Sequence, residues 1–151
     1  MDNLSKGVKT NIFRGTSGEL LFAYEAQRRG LYPCSSVMGE TPCFDMIVIN
    51  ARSGRPIIVQ IRTAEFSKAS YKFSVRATCK NNSVHLRDTN VQYLCVFAPG
   101  PDVWYFIPVG KITSNSVTVF GHNPKSKGMY EKFKENWNVF GSSLDGRGLL
   151  N

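Results

Sequence analysis

A single α/β domain with a central mixed β-sheet flanked by α-helices is the fold this chain predicts, on three observations. An amphipathic segment with helix-start chemistry lies near the N-terminus, over residues 16–30. Two runs rich in β-branched residues, Phe44–Asn50 and Pro56–Thr63, follow with turn residues between them. A second pair of apolar runs, Tyr93–Ala98 and Val103–Val109, brackets the turn Pro99-Gly100-Pro101-Asp102. The 151 residues are 42% apolar and 12% aromatic, enough for one core within residues 1–140.

In chain order, residues 1–13 are polar and read as a mobile basic arm, with Lys6 and Lys9 free to reach a phosphate. Thr16-Ser17-Gly18-Glu19 is a capping box, Thr16 at the N-cap and Glu19 at N3, opening a helix that stops at Gly30. Glu19, Phe22, Ala23 and Ala26 share its inward stripe, so Glu19 is either a capping group alone or a site group facing the core. Leu31–Val37, interrupted by Pro33, reads as a strand near a sheet edge. Ser116–Phe120 reads as a short strand. Met129–Trp137 reads as an amphipathic helix, with Met129, Phe133 and Trp137 at i, i+4 and i+8. The Gly/Ser-rich residues 141–151 read as a disordered tail.

Three polar side chains break the central pair of strands: Asp45, Gln60 and Arg62. Gln60 and Arg62 are two apart and project from one face. With a four-residue loop, Ala51–Gly54, Asp45 falls opposite Gln60; with a two-residue Ser53-Gly54 turn it falls opposite Arg62. Either places a carboxylate, an amide and a guanidinium on one otherwise apolar face, where each is costly to bury unpaired.

The chain carries 19 Lys and Arg against 11 Asp and Glu, a net charge of +8, which favours a polyanionic partner, nucleic acid before an acidic membrane surface. The bases concentrate at Arg62, Lys68, Lys72, Arg76, Lys80 and Arg87, opposed by one acid, Glu65, and interleaved with Tyr71 and Phe73. Lys72, Ser74 and Arg76 alternate with Phe73 and Val75, as on a strand with one basic face tracking phosphates. No apolar run is long enough to span a membrane, and the first residues lack a signal-peptide core. Cys34, Cys43, Cys79 and Cys95 have no zinc-ligand spacing and read as reduced thiols of an intracellular protein, in cytoplasm or nucleoid and not secreted.

The order helix acid, Asp-bearing strand, then Gln60-x-Arg62 resembles the PD-(D/E)XK nuclease superfamily. The SGE of the first helix, VQIRT in the hairpin, YLCVFAPGPDVWYFIP and the late ENW resemble its group I intron-encoded homing endonuclease branch, from about Gly15 to Trp137. The resemblance implies a sequence-specific endonuclease that hydrolyses phosphodiester bonds of double-stranded DNA with Mg²⁺. Position by position it implies Glu19, Asp45 and Gln60 as metal ligands, and Arg62 where the superfamily has lysine, stabilising charge on the phosphate. Lys6, Lys9, Arg14, Lys68, Lys72, Arg76, Lys80 and Arg87 would contact DNA, and a homodimer or homotetramer would serve two strands. The alternative expectation is a catalytically inactive, nuclease-derived DNA-binding protein, a repressor or target competitor. In it Arg62 bonds Asp45 bidentately and closes the metal site. A third reading is an RNA-binding or protein-interaction module.

Overall fold

A five-stranded mixed sheet forms the centre of the chain, in a computed structural model that describes residues 17–35, 43–50, 53–79, 83–122 and 127–141. The N-terminal arm, the N-cap Thr16 and residues 142–151 lie outside the described residues. Helix α1 (17–28) leads into β1 (Leu31–Ser35), β2 (Met46–Asn50) and β3 (Pro56–Thr63). Then come β4 (Glu65–Ser67), β5 (Lys72–Arg76), β6 (Thr78–Cys79), β7 (Val84–His85), β8 (Tyr93–Ala98), β9 (Val103–Pro108) and β10 (Ser116–Val119). The main sheet runs β1-β2-β3-β8-β9, antiparallel except for the parallel β3–β8 pair. The crossover between those two strands carries β4 to β7, and β10-β5-β4 makes a second, three-stranded sheet.

The β2–β3 hairpin forms because β-branched residues fill both strands and the loop chemistry fits. Gly54 takes φ +66°, a conformation that favours glycine, and its N–H donates to the Asn50 carbonyl at 2.8 Å. Alternation on β3 then divides its side chains between two cores. Val59 and Ile61 join Phe22, Ala26, Phe106, Trp137 and Phe140 on the α1 side. Leu94, Val96, Tyr105 and Ile107 of the opposite face pack against Phe73, Val75, Val117 and Val119 of the three-stranded sheet.

Three expectations change. Met129–Trp137 is not an α-helix but irregular chain with a 3-10 turn over Glu131–Phe133, and a second follows over Trp137–Phe140. The segment instead pairs with the exposed edge of β9: Glu135 N donates to Trp104 O at 2.7 Å and Trp104 N to the Glu135 carboxylate at 2.6 Å. Those bonds satisfy an edge a helix would leave open, with Glu135 held at φ +51°. Among the described residues α1 is therefore the only α-helix, so the sheet is not flanked by several. Nor are all four cysteines reduced thiols. Cys43 and Cys79, 36 residues apart, are joined as a disulfide with their Cα atoms 5.7 Å apart, while Cys34 and Cys95 are free. Smaller differences concern strand ends: β2 starts at Met46, β9 stops at Pro108, and the described part of β1 ends at Ser35. Among the described residues no helix is long and apolar enough to cross a membrane.

Candidate active site

The site lies where β2 and β3 part. Their ladder ends at Met46↔Val59, while β3 runs on through Gln60–Thr63 paired with β8 alone. The register is that of the four-residue loop, which sets Asp45 at the level of Gln60. The Ile61 N–H has lost its strand partner there, and the Asp45 carboxylate replaces it: Oδ2 accepts from Ile61 N at 2.7 Å and from Gln60 Nε2 at 2.6 Å. A buried backbone donor and a buried amide are thus satisfied by one oxygen. These two bonds leave Oδ1 unused.

Glu19 arrives from the other side of the sheet. Gly18 lets α1 approach β3 so closely that a Cβ at this position would sit 2.5 Å from Thr63 Oγ1. The approach carries the next residue into the field of the site. Burial pushes the Glu19 carboxyl above its ordinary range; the negative Asp45 pushes it further and Arg62 pulls it back. Asp45 is also raised, first by burial, against the opposing pull of the Ile61 N–H, of Arg62 and of the Gln60 amide. Arg62 donates from Nη2 to the Thr78 carbonyl at 3.2 Å, and its buried Nε has no hydrogen-bond partner among the described residues. The described ion pairs join Glu25 with Arg28 and Arg29, and Glu131 with Lys134. The Asp45–Arg62 pair that would close the site is not formed among them.

The donor set fits a hard divalent cation. Asp45 Oδ1, the Glu19 carboxylate and the Gln60 carbonyl would offer it oxygen atoms, and burial raises both carboxyls, with Asp45 raising Glu19 further. Among the described residues no group of three or more His, Cys, Asp or Glu side chains is placed to hold a metal ion, and the third candidate position here is an amide. The unpartnered Arg62 Nε beside them complements an anionic oxygen.

The expected DNA contacts lie elsewhere. Lys72, Ser74 and Arg76 form the exposed face of β5, as alternation predicts, with Lys68 in the β4–β5 turn and Arg87 in a 3-10 turn after β7. Exposed Phe66 and Tyr71 flank that turn. Lys6, Lys9, Arg14 and Lys80 lie outside the described residues. Sequence reasoning missed Cys95, a fully buried thiol pushed well up by burial and then by Asp45, and the Thr78 carbonyl that receives Arg62. Both depend on pairings across the β3–β8 crossover, which no local pattern encodes.

A mixed sheet with one helix across a face matches the nuclease-like folds of two solved structures, in keeping with the resemblance of the sequence. The backbone is similar to a bacterial homing endonuclease, I-Ssp6803I, with a TM-score of 0.71 at 13% identity over 84% of this chain and 90% of that one. It is also similar to Hjc, a Holliday junction resolvase of Archaeoglobus fulgidus, with a TM-score of 0.56 at 18% identity over 86% of this chain and 98% of that one. No family model and no curated protein sequence matches the chain.

Proposed function

We propose that the protein is a Mg²⁺-dependent, sequence-specific endonuclease of double-stranded DNA, acting inside the cell as a homodimer or homotetramer. The observation that carries this is the open corner of Glu19, Asp45, Gln60 and Arg62, set in a backbone similar to a homing endonuclease. Asp45 and Gln60 fix each other, so their remaining oxygens are pre-aimed and little side-chain order is lost on binding the ion. Glu19, Asp45 and Gln60 hold the cation, which when bound supplies Lewis-acid polarisation of the phosphate and a more acidic water. Arg62 donates to a phosphate oxygen and stabilises the charge that develops there. A guanidinium supplies positive charge and is not a general base. Lys68, Lys72, Arg76, Lys80 and Arg87 contact phosphates, assisted by Lys6, Lys9 and Arg14. One domain presents one such corner, whereas a duplex has two strands, hence the oligomer.

The test is a randomised duplex library incubated with and without Mg²⁺, with retained and cut molecules both sequenced. Cleavage at one recurring site only with Mg²⁺ is expected, and log K against log salt should slope at about −5 or steeper, from six or more phosphates. Tight binding with no nicking in Mg²⁺ or Mn²⁺ overturns the catalytic reading in favour of the inactive binder. Light scattering that finds a monomer both free and on DNA refutes the oligomer.

A further inference from the structure

The β4–β5 hairpin, which follows β3 directly, ends in an aromatic tip that the core does not use. Phe66 of β4 rests on the buried Phe73 of β5, with ring centroids 5.0 Å apart, yet stays 47% exposed. Tyr71 stands edge-on to Phe66 at 6.2 Å and is 72% exposed. It closes the turn over residues 68–71 at φ +51°, in left-handed backbone that a bulky side chain rarely adopts. Glycine would sit there with less strain, so the ring is kept against the preference of the backbone. Around the tip the charge has one sign. Lys68 and Lys72 are exposed, Arg76 continues the face of Lys72, and none of the ion pairs among the described residues engages them.

We propose that Phe66 and Tyr71 form a wedge that enters a base step of duplex DNA and kinks it, near the phosphate held by Arg62. The inference deepens the endonuclease reading above and rests on it for the partner. Charge selects that partner: the phosphates beside an opened step meet Lys68 and Lys72, while the rings cover the bases that lose their stack. An aromatic face stacks on any base, so the tip need not read base edges. Selectivity arises from the step itself, because pyrimidine–purine steps such as TA and CA open and bend more readily than others. The chain also fixes where that step lies. Phe66 follows Arg62 by four residues, so their Cα atoms are at most about 14 Å apart. With the reach of both side chains, and about 3.4 Å per step, the kink falls within roughly six base pairs of the phosphate at Arg62.

Duplexes retained from the randomised library are labelled at both ends with a fluorophore pair and bound without metal, so that bending is read apart from cleavage. Wild type should shorten the end-to-end distance, and thymines at one flexible step should become reactive to permanganate. Tyr71→Gly should weaken duplex binding on the order of tenfold and lose both signals. Its urea midpoint should hold, because relieved backbone strain offsets the lost ring contact. Should that variant fail to fold, Tyr71→Asn, which tolerates the same backbone, takes its place. Tyr71→Phe should restore binding and bending together. Salt separates the wedge from a phosphate contact: Tyr71→Gly keeps the slope of log K against log salt, whereas Lys72→Ala lowers it by about one and keeps the kink. A duplex left straight by wild type, or a Tyr71→Gly variant that binds and bends like wild type, overturns the wedge and leaves the phosphate contacts standing. A change of oligomeric state in place of the lost kink, seen by light scattering, assigns the tip to contacts between copies and overturns it as well. If duplex is kinked at one step but never cut in Mg²⁺, the endonuclease reading fails and the wedge stands. If no duplex is bound with or without Mg²⁺, both fail.

Discussion

The two faces of the central sheet follow the same alternation and carry different duties. Toward α1, Phe22, Trp104, Phe106, Trp137 and Phe140 pack ring against ring, with the Phe106–Trp137 centroids 4.5 Å apart and edge-on. The buried polar side chain beside that cluster, Asn50, is neutral, and its amide is satisfied by the Phe140 carbonyl. One residue along β3, toward the other face, Gln60 and Arg62 lie beside Asp45 among aliphatic neighbours, and two carboxylates are kept above their ordinary range. The first face stabilises; the second retains desolvated charge that packing alone would not favour.

The largest effect that separates them is expected at Asp45. Asp45→Asn keeps an acceptor for the Ile61 N–H but removes the charge. Cleavage should fall on the order of 10³-fold or more, while the urea midpoint at neutral pH holds or rises. Phe106→Ala should do the reverse. It loses roughly 3–5 kcal/mol of stability by denaturant titration, while kcat per folded molecule stays within about threefold. If the Phe106 variant lost catalysis without stability, the division of labour would be wrong.

A third contrast is pH. Glu19 and Asp45 have folded pKa values raised above their unfolded ones, so between the two values the native state binds more protons than the unfolded state. Stability from this source is fully present below the ordinary carboxylate range and declines as pH rises through the raised values. In metal-free protein, melting temperature should therefore fall across that window. Asp45→Asn should flatten the fall, and Mg²⁺ should offset it by favouring the charged forms. A fall of unchanged steepness in Asp45→Asn would assign the effect to other groups.

The smallest expected effect is at Gly18. Gly18→Ala improves helix propensity by about 1 kcal/mol but forces the Thr63 hydroxyl aside, for a net loss on the order of 1 kcal/mol and a lower kcat through Glu19. Adding Thr63→Ala should return part of both, as a double-mutant cycle would show.

The face shared by Asp45, Gln60 and Arg62 was readable because any even loop produces it, whereas the choice between the four-residue and two-residue turns was settled by the ladder. The basic face of β5 was readable because period two is a local property, visible in Lys72, Ser74 and Arg76. Met129–Trp137 misled because Phe133 and Trp137 do turn inward at helical spacing, yet Met129 is 67% exposed. The backbone there answers to the β9 edge and to the Glu131 carboxylate, which accepts from Phe120 N at 2.9 Å and from the Tyr105 hydroxyl at 3.1 Å. Such demands arise from residues 11 to 31 positions away, beyond any window of helical periodicity. The Cys43–Cys79 pairing and the seat of Arg62 on Thr78 were hidden for the same reason.

The closeness of α1 to β3 bears on what can be inherited in such a chain. At 13% and 18% identity the similar structures share a backbone and little sequence, and a shared backbone is a set of distances of approach more than a list of residues. Gly18 against Thr63 is such a distance written in side-chain size. A lineage can exchange the acid at 19 for another acid, or Gln60 for a carboxylate, in one step. A larger residue at position 18 is accommodated best when position 63 is smaller, so the two positions change at least cost together.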